Sequence, residues 1–385
     1  MPLRYDGHRS GKRQKNAEEV DRLPYRFAQQ GVRYGGYLDL SDDADVGRLE
    51  QLGLPILHTP EQIAVWLDRP LGQVAWLIHR FSSGYRPENE GEAHYHYRWQ
   101  RKKSGGWRLI EAPKPILKTV QQQILTDILS QVPVHPAAHG FTAGRSIVTN
   151  AAPHAGQQVL VQFDLANFYA TVSLSRVVAV FRSLGYCREA AIWLARLTTS
   201  AIPQTATFPD QDTHALTPFL PRHLPQGAPT SPALANLSAY SLDVRLTGFA
   251  ASWGGTYTRY ADDITISGSK SLIRALPKFI PLAERIIGQE RFVFHRQKRR
   301  VVRDCSRQVV TGVVVNSHPN LSRPQYDRLK AILTNCIRHG PSTQNRENHA
   351  DFAAWLRGHV AHARNLNPQR GLKLQALYDQ VDWQR

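Results

Sequence analysis

The stretch that decides the fold is Thr256-Tyr257-Thr258-Arg259-Tyr260-Ala261-Asp262-Asp263-Ile264-Thr265-Ile266-Ser267. β-Branched and aromatic residues alternate along both flanks, so the run predicts a β-hairpin that presents two aspartates at its tip. A paired Asp at a tight turn is commonly turn chemistry alone, because the carboxylate bonds nearby amides. That reading weakens once a second strand ends the same way. Val159-Leu160-Val161-Gln162-Phe163 reads as a buried strand, and Asp164 stands at its exit. Two or three aspartates are the hard oxygen donors that Mg²⁺ takes, with coordination left for water and phosphate. Two such ions can clamp the attacking and leaving oxygens of a phosphoryl displacement, which asks little more of the protein than positioning and charge neutralisation.

Bulk composition agrees with a polyanionic partner. The 385 residues carry 48 Lys+Arg against 31 Asp+Glu, a formal charge of +17. Such an excess is the footprint of nucleic-acid binding, since each neutralised phosphate releases condensed counterions. Apolar runs such as Val313-Val314-Val315 are strand-sized, so no membrane segment is expected. The basic N-terminus, Met1 to Lys15, lacks an apolar stretch behind it and does not read as a secretory signal. Cys187, Cys305 and Cys336 are far apart and odd in number, which argues for a reducing cytoplasm and against a disulfide framework or zinc site.

Outward from the carboxylates, the chain divides by pattern. Thr59-Pro60-Glu61 caps a helix, and the apolar spacing on either side of Arg69-Pro70 predicts two short ones. From His96 to Pro115, two extended segments flank a Gly105-Gly106 turn, with Arg101, Lys102 and Lys103 near the tip and Arg108 beyond it. Those cations suit either a solvated surface hairpin or a flap that grips a triphosphate. His94 and His96 are better read as part of a half-exposed strand than as metal ligands. Trp193, Trp253 and Trp355 read as packing residues. Pro203 to Pro221 is a proline-rich insertion, expected to be a surface loop without an assigned task.

The motifs then fall into a familiar order. Tyr260-Ala261-Asp262-Asp263 resembles the YxDD box of reverse transcriptases, and Phe163-Asp164 with Phe168-Tyr169 resembles their first catalytic motif. Leu224-Pro225-Gln226-Gly227-Ala228-Pro229-Thr230-Ser231-Pro232 looks like the LPQGxxxSP element that supports template and nucleotide. In it, Gly227 is expected to let backbone approach a base or sugar closely. Ile116-Leu117-Lys118 with Gln121, and His139-Gly140-Phe141 with Gly144-Arg145-Ser146, resemble the two fingers motifs. Lys298 stands where the family carries a lysine after the hairpin, although His295 replaces the usual asparagine. Asn150-Ala151-Ala152-Pro153-His154 and Val310-Thr311-Gly312 resemble the NAxxH and VTG signatures of retron reverse transcriptases.

The resemblance implies an α+β, right-hand polymerase: fingers and palm built of antiparallel sheet plus helices, then a short helical thumb. The expected parts are a basic extension with short helices over 1–95, fingers and palm over 96–320, and an RNA-binding thumb over 321–385. The fingers and palm are expected to fold without the thumb. The implied activity is RNA-directed DNA synthesis, in which a retron enzyme copies its cognate structured noncoding RNA into a branched RNA–DNA product (msDNA), in anti-phage defence. Asp164, Asp262 and Asp263, helped by the Leu165 carbonyl, would hold two Mg²⁺ ions, with Mn²⁺ as a substitute. Lys103, Arg108, Tyr169, Gln226, Gly227 and Lys298 would bind the deoxynucleoside triphosphate, with Tyr169 as a gate against the 2′-hydroxyl. Asn150, His154, Arg328, Arg357, Arg364 and Lys373 would bind RNA. An effector protein is a further implied partner. Two alternatives stay open: another bacterial reverse transcriptase (group II intron-like or abortive-infection type), and a catalytically idle RNA-binding scaffold.

Overall fold

The computed structural model describes residues 43–79, 86–102, 105–210 and 212–384. The basic leader and Lys103 therefore lie outside the described residues. The chain forms two compact units. One takes the described residues up to Pro133 together with Asn167–Ser238, and the other takes Val134–Ala166 with the residues from Ala239 onward. The mixed α+β class expected from the sequence is what the elements show, with every strand pair inside a sheet antiparallel.

In the first unit, Thr59 closes a capping box with Gln62 over helix Pro60–Trp66, and the chain breaks before helix Leu71–His79, as the Arg69-Pro70 signal predicts. β1 (Tyr95–Arg101) and β2 (Trp107–Pro113) pair in register, Tyr95 opposite Pro113 and Arg101 opposite Trp107. Gly105 and Gly106 both have positive φ (89° and 74°) at the turn, a conformation that suits glycine and few other residues. The proline-rich insertion has a structural task that the sequence did not reveal. Trp99 Nε1 donates to the Thr207 carbonyl at 2.9 Å, and Trp107 Nε1 to Asp210 Oδ2 at 2.8 Å. Phe208 and Phe219 meet the Trp99 ring edge-on at 4.8 and 5.4 Å, so the insertion covers one face of the hairpin.

In the second unit, β3 (Val159–Asp164), β4 (Gly255–Tyr260), β5 (Asp263–Gly268) and β6 (Arg300–Arg303) form one sheet in the order β4-β5-β3-β6. Helices Arg323–His339, Phe352–Leu366 and Pro368–Tyr378 follow. The first of these starts on a Ser322–Gln325 capping box with Pro324 in its first turn. The helices do not form a separate core. Leu329, Leu333, Leu356, Val360 and Leu374 are buried in one cluster with Leu160 of β3 and with Val310, Val313 and Val315. Among the described residues no helix is long and apolar enough to cross a membrane.

Candidate active site

The sheet register gathers the carboxylates. Asp164, last residue of β3, lies opposite Asp263, first residue of β5, and Asp263 in turn lies opposite Tyr260 of β4. The tip differs from the sequence reading in one detail: Ala261 and Asp262 make the two-residue turn, while Asp263 is already paired in the strand. Next to the turn, Leu165 donates its N–H to the Asp262 carbonyl at 2.9 Å, and His295 donates its N–H to the Asp164 carbonyl at 2.8 Å. Leu165 is buried, so only its backbone faces this corner. Asp263 keeps exposed surface, yet desolvation by the atoms packed around its carboxyl, then the like charges of Asp262 and Asp164, push it up to about 6, although Lys298 and Arg300 pull the other way. Lys298 Nζ bonds both oxygens of Asp164, at 3.0 and 3.1 Å, and His295 Nε2 stands 3.7 Å from Oδ1. As placed, no three His, Cys, Asp or Glu side chains among the described residues converge as a ready ligand set. Beside the carboxylates opens a 280 Å³ cleft lined by Asp164, Asp263, Lys298 and Arg300, with Thr311 and Gly312 on its wall.

A set of buried contacts braces the hairpin. Ala261 has φ +55°, a left-handed value that costs a residue with a Cβ about 1–2 kcal/mol. Arg259, fully buried, donates Nη1 to the Ala261 carbonyl at 3.0 Å and grips Asp243 through Nε (2.7 Å) and Nη2 (2.6 Å). Tyr257 donates its hydroxyl to the same Asp243 at 2.6 Å. On the other side of the turn, the segment that ends in Gly140 runs along β4, with Arg259 N–H to Ala137 O and His139 N–H to Arg259 O, both 2.8 Å. A Cβ on Gly140 would stand 2.5 Å from the Ala261 nitrogen, so only glycine fits there. Asp243 and Arg259 were missed in the sequence. The one signal was a charged residue between aromatic and β-branched neighbours, and its partner sits on the helix before the strand, Tyr240–Ser252.

Known proteins agree with this geometry. Residues 100–326 match the family model described as "Reverse transcriptase (RNA-dependent DNA polymerase)". The retron Mx65 reverse transcriptase of Myxococcus xanthus is 40% identical over 330 residues, which cover 86% of this chain and 73% of that one. The chain belongs to the retron reverse transcriptases. The retron Mx162 enzyme of the same organism is 37% identical, covering 86% and 70% of the two chains. The retron Ec86 enzyme of Escherichia coli is 30% identical, covering 74% and 80%. Among solved structures, telomerase from Candida albicans aligns at TM-score 0.44 and 10% identity, covering 74% of this chain and 63% of that one, too loose a likeness to add to the assignment. This reverse transcriptase is thus an RNA-dependent DNA polymerase, with template RNA and deoxynucleoside triphosphates as substrates, in a family that uses divalent metal ions.

The structure corrects the role expected of the reverse transcriptase's NAxxH residues. Asn150 is 1% exposed and His154 is fully buried, so neither offers a surface to RNA. Instead His154 bridges Ser267 Oγ and Thr258 Oγ1, both at 2.7 Å, and ties β5 to β4 from behind. Asn150 Nδ2 donates to Thr311 Oγ1 at 3.3 Å, so it reaches the VTG element that walls the carboxylate cleft. Gly227 also has a close neighbour within the fold. Its φ is +135°, and the close neighbour that a Cβ would meet is the Glu111 carbonyl of β2, at 3.0 Å. The Gln226 carbonyl accepts the Glu111 N–H at 2.8 Å, so the QG element is laid on β2. A buried His223–Glu111 contact at 3.0 Å holds the preceding residues there. Arg108 is exposed on β2, and Tyr169 is half-buried with its ring 5.7 Å from Phe168. His94 is buried against the Trp76 carbonyl, and His96 is exposed beside Glu90. Arg328, Arg357, Arg364 and Lys373 are all exposed.

Proposed function

We propose that this reverse transcriptase copies its own cognate structured noncoding RNA into branched RNA–DNA (msDNA), in the cytoplasm, as part of an anti-phage system with an effector protein. The observation that carries the catalytic part is the register Asp164 opposite Asp263, with Asp262 in the adjoining turn. Three carboxylates meet at two strand ends, beside Lys298 and Arg300. That donor set fits two Mg²⁺ ions, or Mn²⁺ in their place: Asp164 and Asp262 as shared ligands, Asp263 as an outer one, the Leu165 carbonyl beside them. Bound there, the ions would neutralise charge on the attacking and leaving oxygens. Lys298, now on Asp164, would exchange that carboxylate for the incoming triphosphate, joined by Lys103 and Arg108 of the fingers hairpin. Gln226 and Gly227 would position the template and nucleotide, and the Tyr169 ring would exclude a 2′-hydroxyl. Residues 96–320 are read as fingers and palm and 321–385 as the thumb, whose exposed Arg328, Arg357, Arg364 and Lys373 would follow the phosphates of an RNA stem.

Expression together with the noncoding RNA encoded upstream should yield a short branched RNA–DNA that separates only after debranching. Asp262→Asn removes a ligand charge without removing packing, so it should abolish the product while RNA binding remains. A wild-type enzyme that extends any annealed primer yet never makes branched product would overturn the retron part. Product from Asp262→Asn at the wild-type level would overturn the site.

A further inference from the structure

Three aromatic rings stand nearly parallel where the loop before helix Phe352–Leu366 meets that helix. His349 lies 4.6 Å from Trp355 at 18°, Phe352 lies 5.6 Å from Trp355 at 14°, and His349 and Phe352 are 6° from parallel. Trp355 and Phe352 rest on the helical core by one side, and all three rings line a 220 Å³ cleft. Polar groups of three kinds complete the lining, one of them the Glu347 carboxylate, which lies 3.5 Å from Arg328 Nη2 and 3.5 Å from His349 Nε2. Asn335 and Gln344 present side-chain amides, Asn335 Nδ2 donating to Gln344 Oε1 at 3.4 Å, and Arg328 and Arg346 present guanidinium groups. The loop is already shaped: Asn345 Oδ1 accepts the His349 N–H at 2.8 Å, and Asn345 Nδ2 donates to the His349 carbonyl at 2.9 Å.

We propose that this cleft seats one unpaired base of a structured RNA, stacked against the His349–Trp355 rings, with its edge read by the amides and its phosphate held by Arg346. The proposal rests on the reading of this enzyme as a binder of structured RNA, and it assigns Trp355 a ligand face that the sequence reading did not. Each ingredient matches one part of a nucleotide. The outer face of a stack of rings is flat and can stack on any base. Amides supply a donor and an acceptor together, as a base edge does. Guanidinium groups suit phosphate oxygens. The volume is below the roughly 300–1,000 Å³ of drug-sized pockets, which suits a single base. A duplex is excluded because its bases already stack on one another, whereas loops and bulges can splay a base outward.

The test uses full-length protein and RNA hairpins of one stem sequence that carry a bulged adenosine, a bulged uridine, an abasic residue at the same place, or no bulge. Wild type should bind the base-bearing bulges about tenfold more tightly than the abasic one, the scale of one base stacked on an aromatic side chain. His349→Ala should lose that preference and keep its affinity for the abasic hairpin, Arg346→Ala should weaken based and abasic hairpins alike because both carry the phosphate, and Trp355→Phe, which keeps a ring, should retain the preference. Ultraviolet cross-linking of a bulged 5-iodouridine should map to residues 344–355. Equal wild-type affinity for based and abasic bulges, a preference that survives His349→Ala, cross-links only elsewhere, or equally tight binding of free adenosine monophosphate would each overturn the proposal. Branched product made by the same wild-type protein, alongside any of these results, places the failure in the cleft and leaves the enzyme's function standing.

Discussion

His154 shows how much one buried side chain can carry. Its ring has no exposed surface and makes two hydrogen bonds, so it is held neutral; burial first, then nearby His139, lower its pKa to about 4. In the unfolded chain a histidine takes a proton near pH 6.5. Between those values the unfolded state binds more protons than the folded one. The histidine's contribution is therefore fully present above pH 6.5 and is lost as pH falls towards 4, on the order of 3 kcal/mol across the window. Urea unfolding at a series of pH values should show wild type losing more stability than His154→Gln through that interval. The variant should be the less stable of the two at pH 8, where its native hydrogen bonds are weakened. Parallel curves would mean that the ring is not held neutral. The sequence singled out this residue correctly and gave it the wrong task, because a motif reports that a residue matters and burial decides how.

At the scale of the element, the carboxylate hairpin is a strained turn held by its surroundings. Its left-handed Ala261 persists because Arg259 holds the turn carbonyl and Gly140 leaves no gap behind the turn nitrogen. Gly140→Ala puts a methyl 2.5 Å from that nitrogen, and backbone rather than a flexible side chain must give way. In the proposed role of Asp262 as a metal ligand, displacing it by even about 1 Å would cost on the order of 100-fold in rate. Primer extension by Gly140→Ala should fall by about that factor with the unfolding transition still cooperative; activity within twofold of wild type would show that the turn tolerates the shift. Strand alternation made the hairpin legible. The brace was not legible, because Asp243, Arg259 and Gly140 are brought together only by the packing of a helix and a loop on the sheet.

For the molecule as a whole, the helices after residue 320 are the point where domain reasoning from sequence and the observed packing part. The pattern of basic residues suggested a thumb that could be removed while the palm still folds. The shared burial of Leu160, Val310 and Val313 with Leu333, Leu356 and Val360 changes that expectation. Removing residues 321–385 would uncover the buried face of β3, and each large apolar side chain left exposed costs about 1.5–3 kcal/mol. The shortened chain should aggregate or unfold without a cooperative transition. Charge reversal at the exposed Arg357 and Lys373 in the full chain should instead remove branched product and leave the melting temperature within a few degrees. A shortened chain that melts like the full one would restore the separable thumb.

What the sequence determined by itself was the class of fold and the family, and it proposed the reacting corner. Strand periodicity, turn chemistry and the order of short motifs are local properties, and Asp164, Asp262 and Asp263 sit at strand ends that local pattern reveals. The tertiary structure alone decided which residues touch. Glu111 and Gly227 meet across 116 positions, His154 and Ser267 across 113, and Asn150 and Thr311 across 161. It also gave the proline-rich insertion its place on the Trp99 and Trp107 rings and set His349 beside Trp355. The physical reason is that burial and close approach depend on contacts between distant segments, and a single sequence records each segment without recording what will cover it.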